Sequence, residues 1–218
     1  MSRKKLTADE LFKLAFENHK KNNLETAENL YKKILKIDPN NANAYNNLGI
    51  ILDQFGESKK AIQYFKKAIE IHPNYGDAYY NLGKIFNEIN EVKEAIICYE
   101  KAIKINPKKA DVYNNLGGIF KSLGENQKAI ICYEKAIKND PRYVNAYNNL
   151  GTILGELNHI KEAIKNFKKS LDLDLNKKET WEGYGNILLK INQHQKGLEY
   201  IKKATGFIRF SQMDFKII

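Results

Sequence analysis

The amino-acid sequence predicts an all-α fold, an α-solenoid of about six helix–turn–helix units. Three observations predict it. The heptad Asn43-Ala44-Tyr45-Asn46-Asn47-Leu48-Gly49 returns unchanged at Asn145 to Gly151. Variants start between them at Asp77 and Asp111, each 34 residues after the last. A fixed period of this size marks stacked units that bury their apolar faces against neighbours. Within each copy, apolar residues recur with the spacing of one helix face. Gly or Asn, and then Pro, punctuate the copies at fixed places.

The first helix is expected to start at Thr7-Ala8-Asp9-Glu10, which has the spacing of a capping box. Leu11, Leu14 and Ala15 follow as an apolar stripe, and Asn22-Asn23 makes the turn. Ala27, Tyr31 and Ile34 form a second stripe, which Asp38-Pro39 ends because Pro cannot continue the backbone ladder. The boundaries read from this are a basic lead-in over 1–7, copies at 8–41, 42–75, 76–109, 110–143, 144–177 and 178–204, and an apolar tail over 205–218.

Counting each copy from 1, positions 4, 7, 8 and 11 hold Tyr45, Leu48, Gly49 and Leu52 in copy two. They hold Tyr79, Leu82, Gly83 and Phe86 in copy three, Tyr113, Leu116, Gly117 and Phe120 in copy four, and Tyr147, Leu150, Gly151 and Leu154 in copy five. Glycine inside a helix costs about 1 kcal/mol against alanine, so its recurrence at position 8 predicts a close helix–helix approach. Position 15 alternates Gly56, Asn90, Gly124 and Asn158, residues at ease in the left-handed conformation that closes a helix. Pro73, Pro107 and Pro141 close three copies, whereas Leu175 stands in the fourth. The sixth copy diverges, with Trp181, Tyr184 and Gly185. The tail with Phe207, Phe210 and Ile218 either packs back on it or marks where a longer protein continued.

These residues resemble the tetratricopeptide repeat, a 34-residue two-helix motif with Trp or Tyr, Leu-Gly, Ala, an aromatic and a final Pro. The resemblance covers residues 8–204. It implies a right-handed superhelix whose first helices line an inner groove, and a scaffold that holds peptide segments of partner proteins.

The apolar set above predicts that positions 2, 5, 6, 9, 12 and 13 of each first helix face solvent. Over copies two to five this face carries Asp53, Asp77, Glu88, Asp111 and Glu156 against Lys84 and Lys121, although the chain is +10. The lysine excess sits on the second helices, where position 26 is Lys33, Lys67, Lys101, Lys135, Lys169 and Lys203. Position 6 is Asn47, Asn81, Asn115 and Asn149, one carboxamide per repeat, and each can pair with both polar groups of a peptide backbone. This row resembles the asparagine ladder in the repeat region of O-linked N-acetylglucosamine transferase. Lys13 and Gly183 break it at either end. Asn46, Asn114 and Asn148 at position 5 accompany it, with Tyr80 and Ile50 for side-chain contacts and Lys84 and Lys121 for acidic groups of the ligand. The plainer alternative is a solvated face rich in Asn through AT-rich coding.

Position 5 holds no Lys or Arg, so the carboxylate clamp of the chaperone-binding members of the family is missing. An acidic groove also argues against nucleic acid there. The four histidines fall at unrelated positions, and neither a phosphate loop nor a nucleophile elbow occurs. The expected function is therefore a non-catalytic scaffold without cofactor. The alternatives are a targeting module of a larger enzyme, such as a glycosyltransferase-like fusion, or a homo-oligomer assembled through the apolar tail. A basic N-terminus without an apolar run predicts no signal peptide, and no run of about 18 apolar residues predicts a transmembrane segment. A cytoplasmic protein is expected. Cys98 and Cys132 occupy the same place in successive copies, about 10 Å apart for stacked helices and beyond disulfide reach.

Overall fold

The computed structural model describes residues 6–205. The lead-in before Leu6 and the tail beyond Thr205, on which the oligomer reading rests, lie outside the described residues. Among the described residues there are twelve α-helices and no strand: α1 Ala8–Lys20, α2 Leu24–Ile37, α3 Ala42–Gln54, α4 Ser58–Ile71, α5 Gly76–Glu88, α6 Val92–Ile105, α7 Ala110–Ser122, α8 Asn126–Asn139, α9 Val144–Glu156, α10 Ile160–Leu173, α11 Lys178–Lys190 and α12 His194–Thr205. They divide into two compact units, α1–α6 and α7–α12.

Local chemistry sets the helix ends. Thr7 Oγ1 accepts from the Glu10 N–H at 3.2 Å, and Glu10 Oε2 accepts from the Thr7 N–H at 2.8 Å, a reciprocal cap. Position 15 has positive φ in all six copies, at Asn22, Gly56, Asn90, Gly124, Asn158 and Asn192. The next N–H then reaches back to the last turn, as in Glu57 N–H to Leu52 O at 2.8 Å and His159 N–H to Leu154 O at 2.8 Å. This is the Schellman closure of a helix.

Four of the second helices stop on a residue whose side chain turns the chain. Asp38, Asn106, Asp140 and Asp174 each accept from the N–H two residues on, at 2.9–3.2 Å. Leu175 can therefore replace Pro, because the Asp174 turn already ends α10. Asp174 is thus a local capping residue.

Within each unit a first helix packs against its own second helix and against the second helix of the preceding copy, as α3 does with α4 and α2. This double contact widens the buried arc beyond positions 4, 7, 8 and 11. Position 3 (Ala44, Ala78, Val112, Ala146) and position 10 (Ile51, Ile85, Ile119, Ile153) are buried, whereas Tyr45, Tyr79 and Tyr147 at position 4 are only half-buried. Ile51 joins the core of Leu30 and Ile34 behind it, while Leu52 joins Ala61 and Phe65. Leu14, expected in the first stripe, is 40% exposed.

The position-8 glycines do mark a close approach. A Cβ on Gly49 would stand 2.7 Å from the Phe65 ring, and one on Gly117 2.7 Å from the Tyr133 ring. In the last copy a Cβ on Gly185 would stand 2.8 Å from both the Gly197 carbonyl and Ile201 Cγ1, the residue in the place of the aromatic.

Candidate protein-interaction surface

The first helices present the expected carboxamides, but the two Asn positions have different environments. Asn46, Asn114 and Asn148 are buried at 5, 9 and 9% exposure, which corrects the expectation that position 5 faces solvent. The widened arc takes them in, and a buried carboxamide requires partners. In the first unit Asn81 Nδ2 donates to Asn46 Oδ1 at 3.1 Å, from one repeat to the one before. In the second unit Asn149 Nδ2 donates to Asn114 Oδ1 at 2.9 Å. The side chains at positions 5 and 6 thus form inter-repeat rungs.

The ends of the row show the rule by its exceptions. Copy one has Phe12 at position 5, with no acceptor, so Asn47 donates to its own helix at Asn43 O, 2.8 Å away. Copy six has Gly183 at position 6, with no donor, and there the Thr180 hydroxyl donates to Asn148 Oδ1 at 3.0 Å. Thr180 is fully buried and 2.9 Å from Ser170 Oγ. Thr180 stands where copies two to five carry Ala or Val, and Ser170 where copies two to four and six carry Ala, and no periodicity argument flags them.

Asn47, Asn81, Asn115 and Asn149 are half-buried, as are Ile50, Tyr80 and Lys84. Ile50 packs at the edge of the Leu52–Phe65 core, and the Tyr80 ring lies 6.1 Å from that of Tyr99. Lys121, expected to wait for an acidic ligand, pairs with Glu156 of the next repeat at 2.8 Å. Two tyrosines at position 34 were missed by pattern reading. Tyr75 donates to Asn43 Oδ1 at 2.8 Å, and burial, with Asp77 behind it, pushes its phenol up to about 12. Tyr143 is also raised, by burial and then by Asp111. Among the described residues no group of His, Cys, Asp and Glu could hold a metal ion.

The first helices thus carry a set of oriented carboxamides with phenols and a few charges beside them. No helix among the described residues is long and apolar enough to cross a membrane.

Comparison with known proteins places this architecture. A TPR repeat model matches residues 17–56, 83–124 and 117–158, and further tetratricopeptide repeat models match 42–75, 64–97 and 144–177. No curated protein sequence matches. A crystal structure of MamA is 35% identical, with 75% of this chain and 95% of that one covered at a TM-score of 0.66. YrrB, described as a TPR protein with an unusual peptide-binding site, is 22% identical over 81% of this chain and 91% of its own, at 0.66. The pilF protein of Pseudomonas aeruginosa is 17% identical over 92 and 93%, at 0.83, a likeness of fold alone. The repeat models together run from residue 17 to residue 177, and on that match the chain belongs to the tetratricopeptide repeat family.

Proposed function

We propose that this protein is a non-catalytic interaction scaffold that holds an extended segment of a partner protein against its first helices. The contacts in the first unit are Asn47, Ile50, Tyr80, Asn81 and Lys84. Those in the second are Asn115, Lys121 and Asn149. Asn46, Asn114 and Asn148 act beneath them, holding the outer carboxamides in place. The observation that carries this reading is the rung geometry. Asn81 and Asn149 each spend one N–H on the preceding repeat, and Asn149 Oδ1 also accepts from Asn148 Nδ2 at 3.4 Å, so the plane of each half-buried carboxamide is fixed before a partner arrives. Pre-oriented polar groups lose less entropy when they bind. Two buried free thiols, Cys98 and Cys132, support a reducing, cytoplasmic setting.

The test is a peptide-array screen followed by titration of the strongest hits. Asn47→Ala/Lys84→Ala removes two groups that lie outside the rungs, so the fold is retained. Binding is expected to weaken about tenfold, the loss of one or two hydrogen bonds of about 1 kcal/mol each. Unchanged affinity in the folded double variant would refute the assigned surface.

A further inference from the structure

Charge in this chain is segregated by helix type. The six second helices carry twenty Lys against nine acidic residues, while the six first helices carry six Lys against ten acids. In the second unit α8, α10 and α12 each carry two more Lys than acids, and α10 holds the most Lys, four. There Lys161, Lys165, Lys168 and Lys169 lie at i, i+4, i+7 and i+8, on one face. All four are exposed, and among the described residues none makes an ion pair. The acids of the same helix, Glu162 and Asp172, are exposed and pair with none of them. Like charges four apart destabilise a helix, so Lys161–Lys165 and Lys165–Lys169 are both unfavourable in the free protein. Lys138 on α8 and Lys202 on α12 are exposed as well, beside the single acids Glu134 and Glu199 of those helices. Ile131 stands 42% exposed on α8, four residues before Lys135.

We propose that this second-helix face of the second unit, centred on α10, docks on an anionic lipid bilayer surface. The residue types choose among polyanions. Protein interfaces are depleted in Lys, so a folded acidic partner is a poor fit. Nucleic-acid surfaces favour Arg forks and aromatic platforms. The helices α8, α10 and α12 have no Arg; Tyr133 and Phe167 are buried at 1% exposure, and Tyr200 is half-buried with its ring packed on Trp181 and Tyr184. Hydrated Lys charges on flexible stems suit the diffuse potential of an anionic leaflet, which attracts each by about 1 kcal/mol within a Debye length. Ile131 supplies an apolar side chain for shallow contact between headgroups. The surface is separate from the carboxamides of the first helices, so either reading can fail alone.

The experiment is sedimentation of the full chain with vesicles of 30% phosphatidylserine in phosphatidylcholine, against phosphatidylcholine alone, at 0.1 M salt. Binding is expected to the anionic vesicles only. Lys161→Gln/Lys165→Gln/Lys168→Gln/Lys169→Gln should reduce partitioning at least 100-fold, at roughly fivefold per lysine. Removing like-charge pairs should leave the helical circular dichroism intact, so loss of binding will not reflect unfolding. No binding by the wild-type chain, or equal binding by the variant, would overturn the proposal. So would tighter binding to single-stranded RNA than to the vesicles at the same salt.

Discussion

Gly117 and Gly118 are neighbours in the middle of α7, yet alanine should act in opposite directions at the two. Both substitutions gain the same intrinsic helix propensity, roughly 0.5–1 kcal/mol. At Gly118 a Cβ meets nothing within 4 Å, and the residue is exposed. The full gain should appear, raising Tm by about 2–4 °C for a chain of this size. At Gly117 the Cβ would stand 2.7 and 2.9 Å from two carbons of the Tyr133 ring and 3.2 Å from Cys132 Cβ. Tyr133 is 1% exposed and has no room to retreat. Overpacking of this kind costs about 1–3 kcal/mol, which exceeds the propensity gain. The two variants should therefore differ by about 1–3 kcal/mol, with Gly117→Ala below wild type and Gly118→Ala above it. Thermal melts followed at 222 nm measure the difference under identical conditions. If Gly117→Ala stabilises as much as Gly118→Ala, the close approach of α7 and α8 is not the reason for glycine at position 8.

Two further outcomes follow from buried groups. Thr180→Val keeps the shape of the side chain but leaves Asn148 Oδ1 without its hydroxyl donor, and should cost about 1–3 kcal/mol in urea denaturation. Thr180→Ser, which keeps the hydroxyl, should recover most of that loss; an undamaged Thr180→Val would show that the hydrogen bond does not matter. Burial pushes the Cys98 and Cys132 thiols from 9.0 up to about 11, so the unfolded chain releases their protons first as pH rises. Stability is then full below pH 9 and falls between about pH 9 and 11. Tyr31 and Tyr133, pushed up to about 12, extend the fall. A pH series of urea melts checks this, and a Cys98→Ala/Cys132→Ala variant should lose less stability between pH 9 and 11 than wild type.

The repeat, its turns and its stops were legible because each depends on residues close in sequence. Positive φ at position 15 needs Gly or Asn, and the Thr7–Glu10 cap joins residues only three apart in the chain. Asp174 shows the limit of reading residue types singly. An acid at a helix end reads as surface charge by type alone, yet this one makes the same turn as Asp38, Asn106 and Asp140. Helical periodicity likewise assumed one buried face, and so put Asn46, Asn114 and Asn148 in solvent.

The amino-acid sequence by itself determined that this protein is an array of paired helices, where each pair ends, and which carboxamides recur in line. The tertiary structure decided which of those carboxamides are structural. A first helix wedged between two second helices buries position 5, and burial obliges Asn46 and Asn114 to accept from Asn81 and Asn149 one repeat on. That choice depends on neighbours 35 residues away, as does the substitution of Thr180 for a missing Asn, 32 residues from its acceptor. No local pattern encodes which side chain across a packed interface will satisfy a buried carbonyl.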